Sequence, residues 1–324
     1  MTKCQVQTWR DLGLEELRLG AEFKNEFSWS KSRHDLFSSC SRKYYFHYYG
    51  SWNGWKREAD ARTRQIYYLK KLQSRYMWIG SAVHSSIEGI LKEYRAERKT
   101  AGIEDLERKL LQRLRYEFQL SRSGQWGQLK WRLYEHEYES DVSDEEWKSV
   151  AHQALSCLRV FWSSQVHEQI KAFSTDQFLE IEDFSHFYLD DVKVHVVLDL
   201  GFRDKNKIVI YDWKTGRAEG ELHALQLACY RIYAQGKWGV READVETIEF
   251  NLARNETKKY HDGGLSSEEG ILQMRESIRL MQEQLIDKQQ NLAEEERFPL
   301  VENEKACTFC NFKKVCPRWA IENI

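Results

Sequence analysis

The apolar positions change period once along the chain. "IGSAVHSSIEGILKEYRAER" (79–98) places Ile79, Val83, Ile87, Ile90 and Leu91 at helical spacing, which predicts one amphipathic helix. Before it, 35–49 reads as an aromatic helix and 56–76 as a basic one. After it, helical pattern covers 103–120 and 144–173, joined through the Gly- and Ser-containing "SRSGQWGQ". Then "FLEIEDFSHFYLDDVKVHVVLDLGFRDKNKIVIYDWKTG" (178–216) turns β-branched and aromatic, broken by polar turns, and predicts an antiparallel meander. A helix over 219–236, a strand over 245–253 and a long charged helix over 266–296 follow. Helices before and after one small sheet predict an α/β or α+β fold with a helical insertion.

The meander carries the most informative chemistry. If "VVLDLGFRDKNKIVIYDWKTG" is a tight hairpin centred on Lys205-Asn206, opposed residue numbers sum to 411, and Asp199 faces Asp212. Directly opposed Cβ atoms lie about 4.5–5.5 Å apart, so the two carboxylates repel unless a cation sits between them. Lys214, two residues on, leaves the same face of the strand. Carboxylates, waters and a substrate phosphate suit Mg²⁺ or Mn²⁺, which activates water while the lysine neutralises developing charge. The bland alternative is a pair of surface acids near a turn. The buried-strand runs "VHVVL" and "IVIY" before them favour a site.

Composition adds three points. Hydrophobic residues are 41% of the chain, with 12 Trp, 16 Tyr and 15 Phe, and only two prolines, so no Pro-rich linker divides the chain. Net charge is −2, yet Lys31–Tyr76 holds eleven Lys/Arg against three acids, and eleven aromatics. Phosphate neutralisation and base stacking would suit nucleic acid; an aromatic core under a solvated charged face is the alternative. Seven cysteines, an odd number, argue against a disulfide framework and for a reducing compartment. Nothing in the first 25 residues resembles a leader, and no run reaches membrane-spanning length, so an intracellular, cytoplasmic protein is expected (at the nucleoid if bacterial).

In chain order these residues resemble the PD-(D/E)XK nuclease superfamily, its RecB-like branch in particular. "IGSAVH" matches the Gly-x-x-x-His element through Gly80 and His84, Asp199 the second-motif aspartate, "DWK" the Asp/Glu-x-Lys motif through Asp212 and Lys214, and "QLACY" the Gln-x-x-x-Tyr element through Gln226 and Tyr230. The resemblance implies a restriction-endonuclease-like core with a small mixed sheet flanked by helices. It implies metal ligation by His84, Asp199, Asp212 and the main-chain carbonyl of Trp213, catalysis by Lys214, and site-shaping or DNA contact by Gln226 and Tyr230. Val196 stands where the family often has Gly. Singly, His84 would be a core or capped histidine, and Gln226 and Tyr230 could simply satisfy each other at i, i+4.

"CTFCNFKKVCPRW" (307–319) sets Cys307, Cys310 and Cys316 at Cys-x2-Cys-x5-Cys, one ligand short of four. Cys157 and Cys229 fall in core-like helical positions, and Cys4 lies near the start of the chain. Cys40, in "FSWSKSRHDLFSSCSRKYYFHYYG", resembles the early cysteine of the iron–sulfur subset: CRISPR-associated RecB-type exonucleases, the AddB nuclease domain and exonuclease V-type enzymes. That resemblance implies a [4Fe–4S] cluster on Cys40, Cys307, Cys310 and Cys316, an iron–sulfur clasp between the two terminal segments. Ser41 replaces the usual Pro after the first cysteine, while Cys316-Pro317 keeps the later one. Four thiolates also suit zinc, although the spacing is atypical for zinc modules.

The expected organisation is a single nuclease domain over 1–324. It comprises a basic aromatic segment (27–76), a helical insertion suited to a lid or DNA guide (100–175), a catalytic sheet and helix (177–253) and the cysteine segment (300–324). The expected function is a metal-dependent deoxyribonuclease, acting as an exonuclease on single strands or ends in repair, recombination or defence. The alternatives are a DNA-end-binding or scaffolding subunit of a larger complex, and a zinc-stapled RNA-processing protein. No phosphate-binding Gly-x4-Gly-Lys-Ser/Thr loop occurs, so unwinding would come from helicase, recombination or CRISPR/defence partners.

Overall fold

The computed structural model describes residues 24–124, 130–216, 224–260 and 265–320. Cys4, the second half of "SRSGQWGQ" (125–128) and the start of the helix expected at 219 lie outside these residues.

A five-stranded mixed sheet is the frame. Its order is β10 (Glu256–Lys259), β9 (Val245–Asn251), β8 (Lys207–Lys214), β7 (Leu200–Asp204) and β4 (Phe178–Glu180). β8 runs antiparallel to β7 and parallel to β9. As the central strand β8 is buried on both faces, which explains why "IVIYDW" reads as a continuous run rather than an alternation. Val209, Tyr211 and Trp213 face a layer made by the helices Arg75–Glu97, Ile103–Arg122 and Asp144–Trp162. Ile208 and Ile210 face the helices Ala224–Trp238 and Ser267–Glu283. Each fully buried aliphatic or aromatic side chain in these layers contributes about 1.5–3 kcal/mol. The expected helical insertion therefore packs directly on the sheet.

The hairpin register is the expected one: Leu200 pairs with Tyr211 and Asp204 with Lys207, each pair summing to 411. Lys205 adopts a left-handed φ of 53° in the turn. The meander is not a single sheet, however. β5 (Phe184–Leu189) and β6 (Val192–Val197) leave it and pair with each other, and β6 also pairs in parallel with β1 (Ser28–Trp29).

Four expected helices change. The 35–49 segment becomes helices Lys31–Ser39 and Ser41–Tyr45 with a wide turn over Phe46–Gly50, broken at Cys40, whose backbone is extended at φ −167°. The 56–76 segment keeps a helix only over Ala61–Leu69, followed by β2 (Leu72–Gln73), which pairs with β3 (Arg132–Leu133). The 266–296 helix ends at Glu283, and Leu285–Asp287 and Leu292–Ala293 form a hairpin, with Asn291 at φ 50°. The 144–173 segment splits at Ser164, whose hydroxyl caps the helix Gln165–Ala172. Among the described residues no helix is long and apolar enough to cross a membrane.

Candidate active site

The ends of two interior strands and two helices deliver the site. Asp199 lies one step past the last β7–β8 pair, and its Oδ2 accepts the Trp213 N–H at 2.5 Å. The carboxylate thus ends the ladder and is fixed by β8 itself. Asp212 and Lys214 alternate on β8 and share the face turned to the helix Ala224–Trp238. Lys214 Nζ stands 2.6 Å from Asp212 Oδ2 and donates to Gln226 Oε1 at 3.2 Å. Gln226 Nε2 donates to Asp212 Oδ1 at 3.0 Å and to Tyr230 Oη at 2.6 Å, and Tyr230 donates to Asp212 Oδ1 at 3.1 Å. Gln226 and Tyr230 do contact each other, as one helical turn requires, and both also hold Asp212.

His84 arrives from the opposite layer. On the Arg75–Glu97 helix, Gly80 and His84 are one turn apart and share a face. A Cβ on Gly80 would meet Thr215 Oγ1 at 2.9 Å, so the absent side chain lets the helix press against the end of β8. Gln153 secures the same strand end, donating to Thr215 O at 3.0 Å. His84 Nδ1 is 3.3 Å from Asp199 Oδ1 and 3.3 Å from Glu182 Oε1.

Glu182 was not among the residues singled out in the sequence. It sits just after β4 at a left-handed φ of 54°, where no periodicity points to it. Its one visible signal is the acid-rich "EIED" ahead of β5. Among the described residues, His84, Glu182 and Asp199 form the one trio of His, Cys, Asp or Glu with ligand atoms all within 4.8 Å of one another. A nitrogen and two carboxylate oxygens are a fitting donor set for a hard divalent cation. Asp212 lies outside that trio, held instead by Lys214, Gln226 and Tyr230.

Burial sets the electrostatics. Asp199 and Asp212 are nearly inaccessible, at 7% and 3% exposure. For Asp212, burial outweighs the pull of Lys214 and, with the nearby Asp199 charge, lifts its carboxyl above the usual range. Asp199 also suffers burial, but His84, the Trp213 N–H and Lys214 together hold it below the usual range. Burial lifts Glu182 to about 7 despite His84. Burial depresses His84, yet the Asp199 charge and the contacts to both carboxylates hold it well above an ordinary imidazole. Lys214 follows the same pattern, with Asp212 overcoming burial to raise it. The site is an excess of buried negative charge that attracts any available cation.

The cysteines converge elsewhere. Cys40, Cys307, Cys310 and Cys316 line one pocket with Phe46 and Phe312, although no three of their sulfurs come within 4.8 Å of one another. Cys40 Sγ accepts the Lys43 N–H at 3.4 Å, at the start of a short helix. Burial pushes the Cys310 and Cys316 thiols up. Ordinary contacts already join the two segments: Ser41 Oγ donates to Pro299 O at 2.9 Å, Arg42 Nε to Phe298 O at 2.7 Å, and Arg42 pairs with Glu295 at 2.8 Å. Cys157 and Cys229 are core residues, as their spacing suggested. Much of the aromatic wealth of 31–76 is also core, with Tyr44 and Phe46 sealed, whereas Trp55, Tyr68 and Tyr76 are exposed.

Among solved structures the chain is similar to one described as "Crystal structure of SSO0001", at 17% identity and a TM-score of 0.30, covering 57% of this chain and 79% of that one. That likeness is too slight to inform the site. No curated protein matches. The family profile of the PD-(D/E)XK nuclease superfamily matches residues 28–317, a span that takes in His84, Asp199, Asp212, Lys214, Gln226 and Tyr230. The chain belongs to the PD-(D/E)XK nuclease superfamily.

Proposed function

We propose that this protein is a Mg²⁺- or Mn²⁺-dependent deoxyribonuclease that works as an exonuclease on single strands or DNA ends. One observation carries the reading: Asp199, Asp212, Lys214 and His84, scattered over 131 positions of sequence, meet at one end of the central strand. His84, Glu182 and Asp199 would hold the cation, with Asp212 and the Trp213 carbonyl as the further ligands the family resemblance suggests. When bound, such a cation supplies Lewis-acid polarisation of the phosphate and makes water acidic enough to attack.

The protein's own groups do the rest. Lys214, kept protonated by Asp212, is poised to orient the attacking water and to offset charge that grows on the phosphate. Gln226 and Tyr230 fix the rotamer of Asp212, and the Trp213 N–H fixes that of Asp199, so little reorganisation accompanies the reaction. Incubation of the purified protein with labelled single- and double-stranded DNA, with Mn²⁺ or with chelator, tests this. Metal-dependent shortening from ends is expected. Tight DNA binding without cleavage would favour a scaffolding subunit instead.

We also propose that Cys40, Cys307, Cys310 and Cys316 carry a [4Fe–4S] cluster as a structural staple. Four thiols sharing one pocket support this. Zinc at about 2.3 Å from each sulfur would draw them closer than their present spacing, whereas a four-iron cluster is wider. Protein purified without oxygen should be brown and contain iron. A colourless, zinc-loaded protein would overturn the assignment.

A further inference from the structure

The hairpin β5–β6 has an exposed face of unusual composition. Strand alternation sends Ser185, Phe187 and Leu189 inward with Val194 and Val196, and Phe184, His186 and Tyr188 outward. The outward face of such a sheet is ordinarily polar. Here Phe184 is 51% and Tyr188 61% exposed, and the partners across the ladder are Val197, His195 and Lys193. The rings already form a row: Phe184 stacks on His195 at 4.8 Å, and His186 meets Tyr188 at 5.6 Å.

We propose that Phe184, His186 and Tyr188 form a stacking platform that guides single-stranded DNA into the active site, an inference that rests on the nuclease reading above. Three observations select this occupant. First, the platform is continuous with the site: Phe184 and His195 line the same pocket as Gln226 and Tyr230. Second, cations flank it. Arg33 and Lys31 line that pocket, Lys31 being partly neutralised by Asp35 at 2.6 Å, and Lys237, itself ion-paired with Glu180, lines a neighbouring pocket beside Phe184 and His186. Third, alternate residues on a strand are about 6.8 Å apart, roughly twice the 3.4 Å rise per nucleotide of duplex DNA, so only an unstacked single strand can set successive bases on successive rings. The turn at Asp190-Asp191, where Asp190 pairs with Arg275 at 2.9 Å, ends the platform after three positions.

The test uses the full-length protein, with a fluorescein-labelled oligothymidylate in chelator so that no cleavage occurs. Tyr188→Ala should weaken binding roughly ten-fold, and Phe184→Ala comparably, while Tyr188→Trp retains it. Hydrolysis of thymidine 5′-p-nitrophenyl phosphate, too small to span the platform, should be unchanged in Tyr188→Ala. Oligothymidylate affinity within about two-fold of the parent in both Ala variants would overturn the proposal, whatever the cleavage activity. Equal loss for blunt duplex, or preference for oligouridylate, would overturn it too. If the parent protein cleaves nothing yet Tyr188→Ala still weakens binding, the platform stands and the nuclease reading fails.

Discussion

The carboxylate site and the cysteine pocket are built on opposite principles. At the first, every key side chain is held by another polar group, so the arrangement is fixed by hydrogen bonds and an ion pair. At the second, two distant segments bring four thiols to one pocket through apolar packing and main-chain contacts. The difference separates roles. The first region gathers polar side chains that hold one another at the end of a strand. The second joins segments that lie far apart in the sequence.

The sharpest break of this comparison is at the strand end. Asp212→Ala should lower DNA cleavage by about 10³-fold or more, and Lys214→Ala by about 10²–10³-fold, with the circular dichroism spectrum and any iron content unchanged. Full activity in either variant would remove the site assignment. Next in size, Glu182→Gln should raise the Mg²⁺ or Mn²⁺ concentration for half-maximal activity by about 10–100-fold, with a smaller effect at saturation. An unshifted metal titration would return the ligand set to His84, Asp199, Asp212 and the Trp213 carbonyl alone. Cys40→Ser should abolish visible colour and lower the Tm by several degrees, since each lost kcal/mol shifts Tm by about 2–4 °C in a domain of 150–250 residues. Residual cleavage at low temperature should survive, because Arg42, Ser41 and Phe46 still join the segments. Smallest of all, Gly80→Ala should cut activity only a few-fold, as Thr215 shifts by a few tenths of an ångström and His84 moves with the helix. A silent Gly80→Ala would show that the close approach does not set His84.

Where one residue's neighbours decide its place, the sequence was legible. The Lys205-Asn206 turn fixed the β7–β8 register, and that register predicted the meeting of Asp199 and Asp212 to within one ladder step. The Gly80–His84 spacing on a helix was equally readable. Long-range competition was not. Nothing local reveals that β5 and β6 leave the main sheet to join β1, about 160 residues earlier. Glu182 is placed by that departure, so it stayed hidden with it. Composition likewise could not sort aromatics: Tyr44 and Phe46 of the basic segment are core, while Phe184 and Tyr188, in a stretch read only as catalytic sheet, are exposed.

The bond from Ser41 to the Pro299 carbonyl spans 258 residues, and this has a consequence in time. Synthesis proceeds at about 5–20 residues per second, so the segment around Cys40 waits roughly 13–50 s for its partner to be made. Throughout that interval its aromatic helices and a free thiol are exposed on the nascent chain. The contacts that join the two segments can therefore close only once Pro299 has been made, well after the local β7–β8 hairpin.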